Sequence, residues 1–149
     1  MTHRKSKISV LFLCTGNSCR SQIAEGLTNQ LKGDVIAAHS AGTAPAGIHE
    51  LTRAVLAEEG IDLSRHRSKH VDELSDKDFD YVVTLCGAAA ENCPRFPGKA
   101  KVVHVPFEDP AAAAGSDAER LRAFRKTRDA IREYVVNLPV DLEHFEEDE

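Results

Sequence analysis

Apolar and polar positions along this chain change period in blocks, and the blocks read as alternating strands and helices. Ile8-Ser-Val-Leu-Phe-Leu13 is a short apolar run of strand length. From Arg20 to about Lys32 the spacing becomes helical, with Ile23, Leu27 and Leu31 at i, i+4 and i+8 as the stripe expected to face a core. Gly33-Asp34 punctuates that helix. Val35 to Ser40 is a second short strand, followed by the Gly/Pro-rich stretch Ala41-Gly-Thr-Ala-Pro-Ala-Gly47. A second helix is predicted over Ile48 to Glu59, with Leu51, Val55 and Leu56 inward and Gly60 as its stop. A polar connector, Ile61 to Ser68, leads to a short helical piece near Val71–Ser75. Asp80 to Leu85 and Lys101 to Val105 are the third and fourth strands. The last helix is predicted over Asp117 to Val136, with Leu121, Phe124, Ile131 and Val135 as its apolar positions. The acidic end Glu143–Glu149 is expected to fray. No internal repeat interrupts this order, so residues 1–149 read as a single domain.

Strands that alternate with helices imply an α/β fold with a parallel sheet and right-handed crossovers. Such sheets carry ligand chemistry beyond the carboxyl ends of their strands. The first strand ends at Cys14, the third at Cys86, and the fourth runs toward Asp109. Three reactive side chains are thereby expected on one edge of the sheet.

The stretch between the first strand and the first helix is the most specific. Cys14-Thr-Gly-Asn-Ser-Cys-Arg20-Ser21 places a thiol at a strand end, a tight polar loop after it, and an arginine at a helix N-terminus. The amides of Thr15, Gly16, Asn17, Ser18, Cys19 and Arg20, with the helix dipole, suit a tetrahedral oxyanion. The same field favours thiolate over thiol at the loop's floor. The Arg20 guanidinium adds a planar fork of donors. Asn17 is suited to a left-handed backbone conformation and to bonding across the loop. Ser21 is placed where its hydroxyl can donate to Cys14 or serve only as a first-turn helix residue. Cys19 reads as small buried filler. The nucleotide-binding pattern G-x-x-x-x-G-K-[ST] is absent.

Composition narrows the class. The 149 residues are 42% hydrophobic and 29% charged, ordinary for a globular protein. A net charge of −5 argues against generic nucleic-acid binding. No apolar stretch approaches the roughly 20 residues of a membrane span, and no signal peptide is evident, so a cytoplasmic protein is expected. The four cysteines, Cys14, Cys19, Cys86 and Cys93, have x4 and x6 spacings instead of the paired C-x2-C of a zinc site. His66 and His70 are four apart, but their connector is not clearly helical. No metal ligand set and no cofactor are expected.

Cys86-Gly-Ala-Ala-Ala-Glu-Asn-Cys93-Pro94 is the second informative stretch. Its Ala-Ala-Ala-Glu centre is helix-prone, and Pro94 stops it. Seven residues of helix separate Cα atoms by about 10 Å, whereas a disulfide needs them within about 7 Å. An 86–93 disulfide therefore requires this segment to unwind, which Gly87 eases. Beside a thiolate-forming loop, a redox pair is favoured over two buried fillers. Asp109-Pro110 follows the fourth strand. Its carboxyl reads as a turn initiator or as a general acid for a leaving oxygen, with Glu108 as competitor.

These marks, together with Leu13 to Gln22, Ser40-Ala-Gly42, Val83-Thr-Leu-Cys86, Asn92-Cys-Pro94 and Asp109-Pro110, resemble the thioredoxin-coupled arsenate reductases, over nearly the whole chain. That family shares the three-layer α/β/α fold, with a four-stranded parallel sheet, of the low-molecular-weight protein tyrosine phosphatases. The phosphatase branch typically has aromatic residues after the Asp-Pro and lacks the second thiol pair; this chain has Ala111–Ala114 and Cys86/Cys93. The resemblance implies arsenate as substrate, thioredoxin as reductant, and a monomer. Cys14 would be the nucleophile, Arg20 the oxyanion ligand, Asp109 the acid, Asn17 and Ser21 the thiolate's supports, and Cys86 then Cys93 the relay. Phosphatase activity is the alternative, and a non-catalytic oxyanion or redox sensor a third reading. Some such reductases bind potassium near the loop through an Asp; here Lys69 stands there, so a tethered ammonium is expected to replace the ion.

Overall fold

A computed structural model describes residues 7–93, 96 and 100–142. The order is β1 (Ile8–Cys14), α1 (Arg20–Lys32), β2 (Ile36–Gly42), α2 (Glu50–Ala57), a 3-10 turn (Val71–Leu74), β3 (Tyr81–Thr84), α3 (Gly87–Glu91), β4 (Lys101–His104), a 3-10 turn (Pro110–Ala112) and α4 (Asp117–Val135). The four strands form one all-parallel sheet in the order β2-β1-β3-β4.

The apolar run of β1 lacks alternation because both faces of this central strand are covered. Val10, Leu11, Phe12 and Leu13 are all fully buried. Val10, Phe12 and Val83 pack with Ile23 and Leu27 of α1 and Ile131 and Val135 of α4. Leu11, Leu13 and Val82 pack on the other face with Val71, Phe79 and Ala89. The result is a sheet between two layers, with α1, α2 and α4 together on one side. Register aligns Cys14 with Gly42 and Leu13 with Thr84, so the carboxyl ends of the strands share an edge. Gly42 has to be glycine there, since a Cβ would collide with the Thr15 carbonyl oxygen.

Several boundaries differ from the sequence reading. Leu31 is 41% exposed, not buried, because the inward stripe of α1 has drifted off the sheet by its last turn. The second helix is shorter than predicted: His49 caps it by accepting from Leu51 N–H, and Ile48 stays outside. α4, by contrast, starts at Asp117 as expected, where Ser116 and Glu119 form a reciprocal capping box. The segment after β3 is helical only over Gly87–Glu91, so Cys86 and Cys93 flank the helix instead of sharing its face. Pro94 and the acidic end 143–149 lie outside the described residues.

Candidate active site

The loop between β1 and α1 is held from behind by its carbonyl groups. Thr43 N–H donates to Cys14 O at 3.1 Å, Ala44 N–H to Thr15 O at 2.8 Å and Ala46 N–H to Gly16 O at 2.9 Å. Gln22 Nε2 donates to Asn17 O, His49 N–H to Ser18 O, and Ile23 N–H to Cys19 O. Ser68 Oγ adds a second bond to Gly16 O, and Thr52 Oγ1 one to Ser18 O. The carbonyls of residues 14 to 19 thus all have donors. None of the amides of residues 15–20 donates to any described protein acceptor. Amides left unpaired over six consecutive residues form an anion nest. Asn17 adopts a left-handed conformation, φ 47°, at the sharpest bend.

Cys14 lies on the floor of this nest, 2% exposed. Its Sγ is 2.9 Å from Ser21 Oγ, which in turn accepts from Asn17 Nδ2 at 2.8 Å. A cavity of about 240 Å³ opens above it, lined by Cys14, Thr15, Gly16, Ser18, Cys19, Arg20, Ala46, Asp109 and Ala111. Arg20 Nη1 donates to Phe107 O at 3.1 Å, and Nη2 lies 3.9 Å from Asp109 Oδ2. Its Nε is buried with no acceptor, the kind of donor that a bound oxyanion satisfies. The Cys19 thiol packs against Val55 and Phe124 as filler, and burial pushes its pKa up.

Asp109 caps a turn and also lies at the cavity that holds Cys14. Oδ1 accepts from Ala111 N–H at 3.0 Å and caps the 3-10 turn, while Oδ2 faces Arg20 at the cavity. Glu108 lines a neighbouring cavity, not the one holding Cys14. Cys86 lies two residues beyond β3, with its Sγ 3.3 Å from Thr15 Oγ1, a direct link between the second thiol and the nest. Cys93 is half-buried and, like Cys86, packs against the cluster containing Phe79 and Ala89; burial pushes its thiol up. Among the described residues none of the four cysteines is in a disulfide.

Residues 9–147 match the model of the low molecular weight phosphotyrosine protein phosphatase family. The chain belongs to that family. Within it, the chain is 44% identical over 126 residues to an arsenate reductase of Halalkalibacterium halodurans, covering 85% of this chain and 91% of that one. It is 43% identical over 122 residues to an arsenate reductase of Bacillus subtilis, covering 82% and 88%. Among solved structures, an arsenate reductase in the phosphate-binding state aligns with TM-score 0.70 and 32% identity, over 88% of this chain and 95% of that chain. A low molecular weight protein tyrosine phosphatase from T. tengcongensis aligns with TM-score 0.70 and 28% identity, over 89% and 97%.

Sequence reasoning did not single out the layer behind this family's loop. Asn17 Nδ2 also donates to Ser40 Oγ at 3.0 Å, and Ser40 Oγ donates to Glu25 Oε1. Gln22, fully buried, donates to both oxygens of Asn17 and to Arg67 O. Nothing local assigns these residues a role, because Ser40 lies on a strand and Gln22 and Glu25 on a helix, distant in the chain from much of what they touch. Lys69 Nζ donates to the carbonyls of Ser40 at 3.0 Å and Arg67 at 3.3 Å. Burial lowers its pKa from the ordinary lysine value. The ammonium already occupies the carbonyl oxygens a potassium ion would need, so the residues present do not fit the ion. His70 caps the turn at Val71, and His66 Nδ1 faces Gln22 Oε1 at 3.3 Å. Among the described residues no cluster of His, Cys, Asp or Glu could hold a metal ion. No helix among them is long and apolar enough to cross a membrane.

Proposed function

We propose that this protein reduces arsenate to arsenite through Cys14, Cys86 and Cys93, in the cytoplasm, as a single-domain monomer regenerated by thioredoxin. The observation that carries the reading is the Thr15–Cys86 hydrogen bond, which tethers a second thiol to the loop holding the first. Hydrolysis of a phosphate ester needs only Cys14. A redox relay needs a second sulfur within reach. The names of the relatives above support the same reaction.

The amides of residues 15–20 and Arg20 hold three oxygens of arsenate, and the Cys14 thiolate attacks arsenic. The fourth oxygen leaves as water, with a proton from Asp109. The Cys86 thiolate then attacks Cys14 Sγ. The S–As bond breaks with its electron pair going to arsenic, which leaves as arsenite, and a 14–86 disulfide remains. The Thr15 hydroxyl, 3.3 Å from Cys86 Sγ, is placed to donate to that thiolate before it attacks. The Cys93 thiolate attacks Cys86 Sγ, freeing Cys14 and forming the 86–93 disulfide, and an external dithiol reduces that bond. Cys86 and Cys93 both lie outside the five residues of α3, so unwinding this short helix is what lets them meet.

The test is NADPH oxidation coupled through thioredoxin reductase and thioredoxin, with arsenate as oxidant. Wild type turns over many times, and Cys14→Ser, Cys86→Ser and Cys93→Ser each fall to background. Phosphatase activity is the second reading, favoured by the family match. Cys86→Ser separates the two, since hydrolysis of an aryl phosphate survives it and reduction does not. A Cys86→Ser enzyme that still turns over arsenate with thioredoxin would eliminate the relay.

A further inference from the structure

Proton directions can be read from the Lys69 amide through the network behind the nucleophile as far as Ser21. The Lys69 backbone N–H is a donor and lies 3.0 Å from Asn17 Oδ1. Asn17 Oδ1 is therefore the acceptor end of its amide, and both Nδ2 protons point the other way, to Ser21 Oγ at 2.8 Å and Ser40 Oγ at 3.0 Å. The Ser40 proton goes to the Glu25 carboxylate, which can only accept. Ser21 Oγ, already an acceptor from Asn17, has its own proton left for one partner, Cys14 Sγ at 2.9 Å. With Asn17 donating to Ser21 Oγ, the Ser21 proton is free to go to Cys14 Sγ, which then accepts as a thiolate does.

Asn17 holds this pose in a left-handed backbone conformation, φ 47°, which asparagine tolerates better than most residues with a side chain. One side chain contacts both of its oxygens. Gln22 is fully buried, and its Nε2 faces three acceptors: Asn17 Oδ1 at 3.1 Å, Asn17 O at 3.4 Å and Arg67 O at 3.2 Å. Its amide orientation is consequently fixed as well, with Oε1 turned to His66 Nδ1.

We propose that Gln22 is a positioning residue that clamps Asn17 by both of its oxygens and so aims the Ser21 proton at Cys14. It touches neither substrate nor the reacting sulfur; it acts through Asn17 and Ser21. The inference rests on Cys14 being the nucleophile, but not on arsenate being the substrate. The charged and titratable groups that face this network are Glu25 from α1, His66 and Lys69 from the connector, and, around Cys14, Arg20, Cys19, Cys86 and Asp109.

The experiment is iodoacetamide alkylation of the full-length protein across pH 4–10, with the Cys14 peptide resolved by mass spectrometry and no arsenate present. Gln22→Met, close in shape but without donors, is expected to raise the pH midpoint of Cys14 alkylation by about one unit, which is about tenfold less thiolate below the midpoint. With the coupled assay, kcat falls by a similar factor while KM for arsenate changes less than about threefold. Ser21→Ala raises the midpoint by itself. The double variant Gln22→Met/Ser21→Ala matches Ser21→Ala alone, because Gln22 has nothing left to aim. A Gln22→Met midpoint equal to wild type, or shifts that add in the double variant, overturns the proposal. Gln22→Leu is the second variant. If thermal melts show that neither folds, the residue is structural and the proposal also fails. Loss of alkylation control with arsenate turnover absent in wild type would refute the arsenate reading and leave the clamp standing.

Discussion

At the scale of single residues, the loop's chemistry depends on where protons and charges are fixed. Lys69 is the clearest case. Its ammonium pairs two main-chain carbonyls that belong to different segments, Ser40 at a strand end and Arg67 in the connector. Lys69→Met leaves both without that donor, at a cost of about 1–3 kcal/mol if they are shut off from water. A lower melting temperature is the expected result. For the wild-type protein, replacing NaCl by KCl at constant ionic strength should change neither melting temperature nor activity. A gain in both that is specific to potassium would show that the ammonium does not fill the cation's place.

At the scale of elements, the thiols sit on different mountings. Cys14 is carried by a rigid strand end and a nest with every carbonyl tied, whereas Cys86 and Cys93 flank a helix of five residues. That contrast suits a nucleophile that stays in place and a pair that has to move. Burial pushes the Cys93 thiol up, so its thiolate is scarce at neutral pH. In the proposed relay, the rate of converting the 14–86 disulfide to the 86–93 disulfide should rise steeply with pH through 7–9, approaching tenfold per unit below the thiol's midpoint. Rapid quenching with acid, followed by mapping of disulfides, measures it. A flat profile over that range would mean that Cys93 ionisation does not limit the step.

At the scale of the molecule, the sheet's covering helices are joined by charge as well as by apolar packing. Glu58, at the end of α2, accepts from Arg125 and from Arg128 of α4, each at 2.6 Å. Arg125 first and then Arg128 hold the Glu58 pKa down to about 2, against an ordinary glutamate value of 4.5. A carboxyl depressed on folding contributes stability that is fully present above its unfolded value and disappears as pH falls through the folded one. Glu58→Gln should therefore lower the melting temperature at pH 6. The difference from wild type should shrink between about pH 4.5 and 2, and because the side chain is partly exposed, high salt should shrink it too. A difference independent of both pH and salt would assign the loss to packing.

Much of this architecture was legible in the chain. The period of apolar positions placed all four strands and α1 and α4 within about two residues, because each buries a face in the same core. The strand–Cys-x5-Arg–helix order was legible because a loop this short and polar between two apolar elements has few other uses. Other features were not. Leu31 fits the helical stripe and is nonetheless exposed, since the stripe says which face is apolar but not how far the neighbouring sheet extends. Local reasoning left Asp109 and Glu108 open; only the way the chain turns after β4 puts one against Arg20 and the other over a separate cavity. The contacts of Gln22, Ser40, Lys69 and Cys86 with the loop join residues up to 71 positions apart. A sequence specifies local period, turn chemistry and the inventory of reactive groups. Which hydrogen-bond donor meets which acceptor across a parallel sheet depends on how its crossovers pack, and that was decided by the tertiary structure alone.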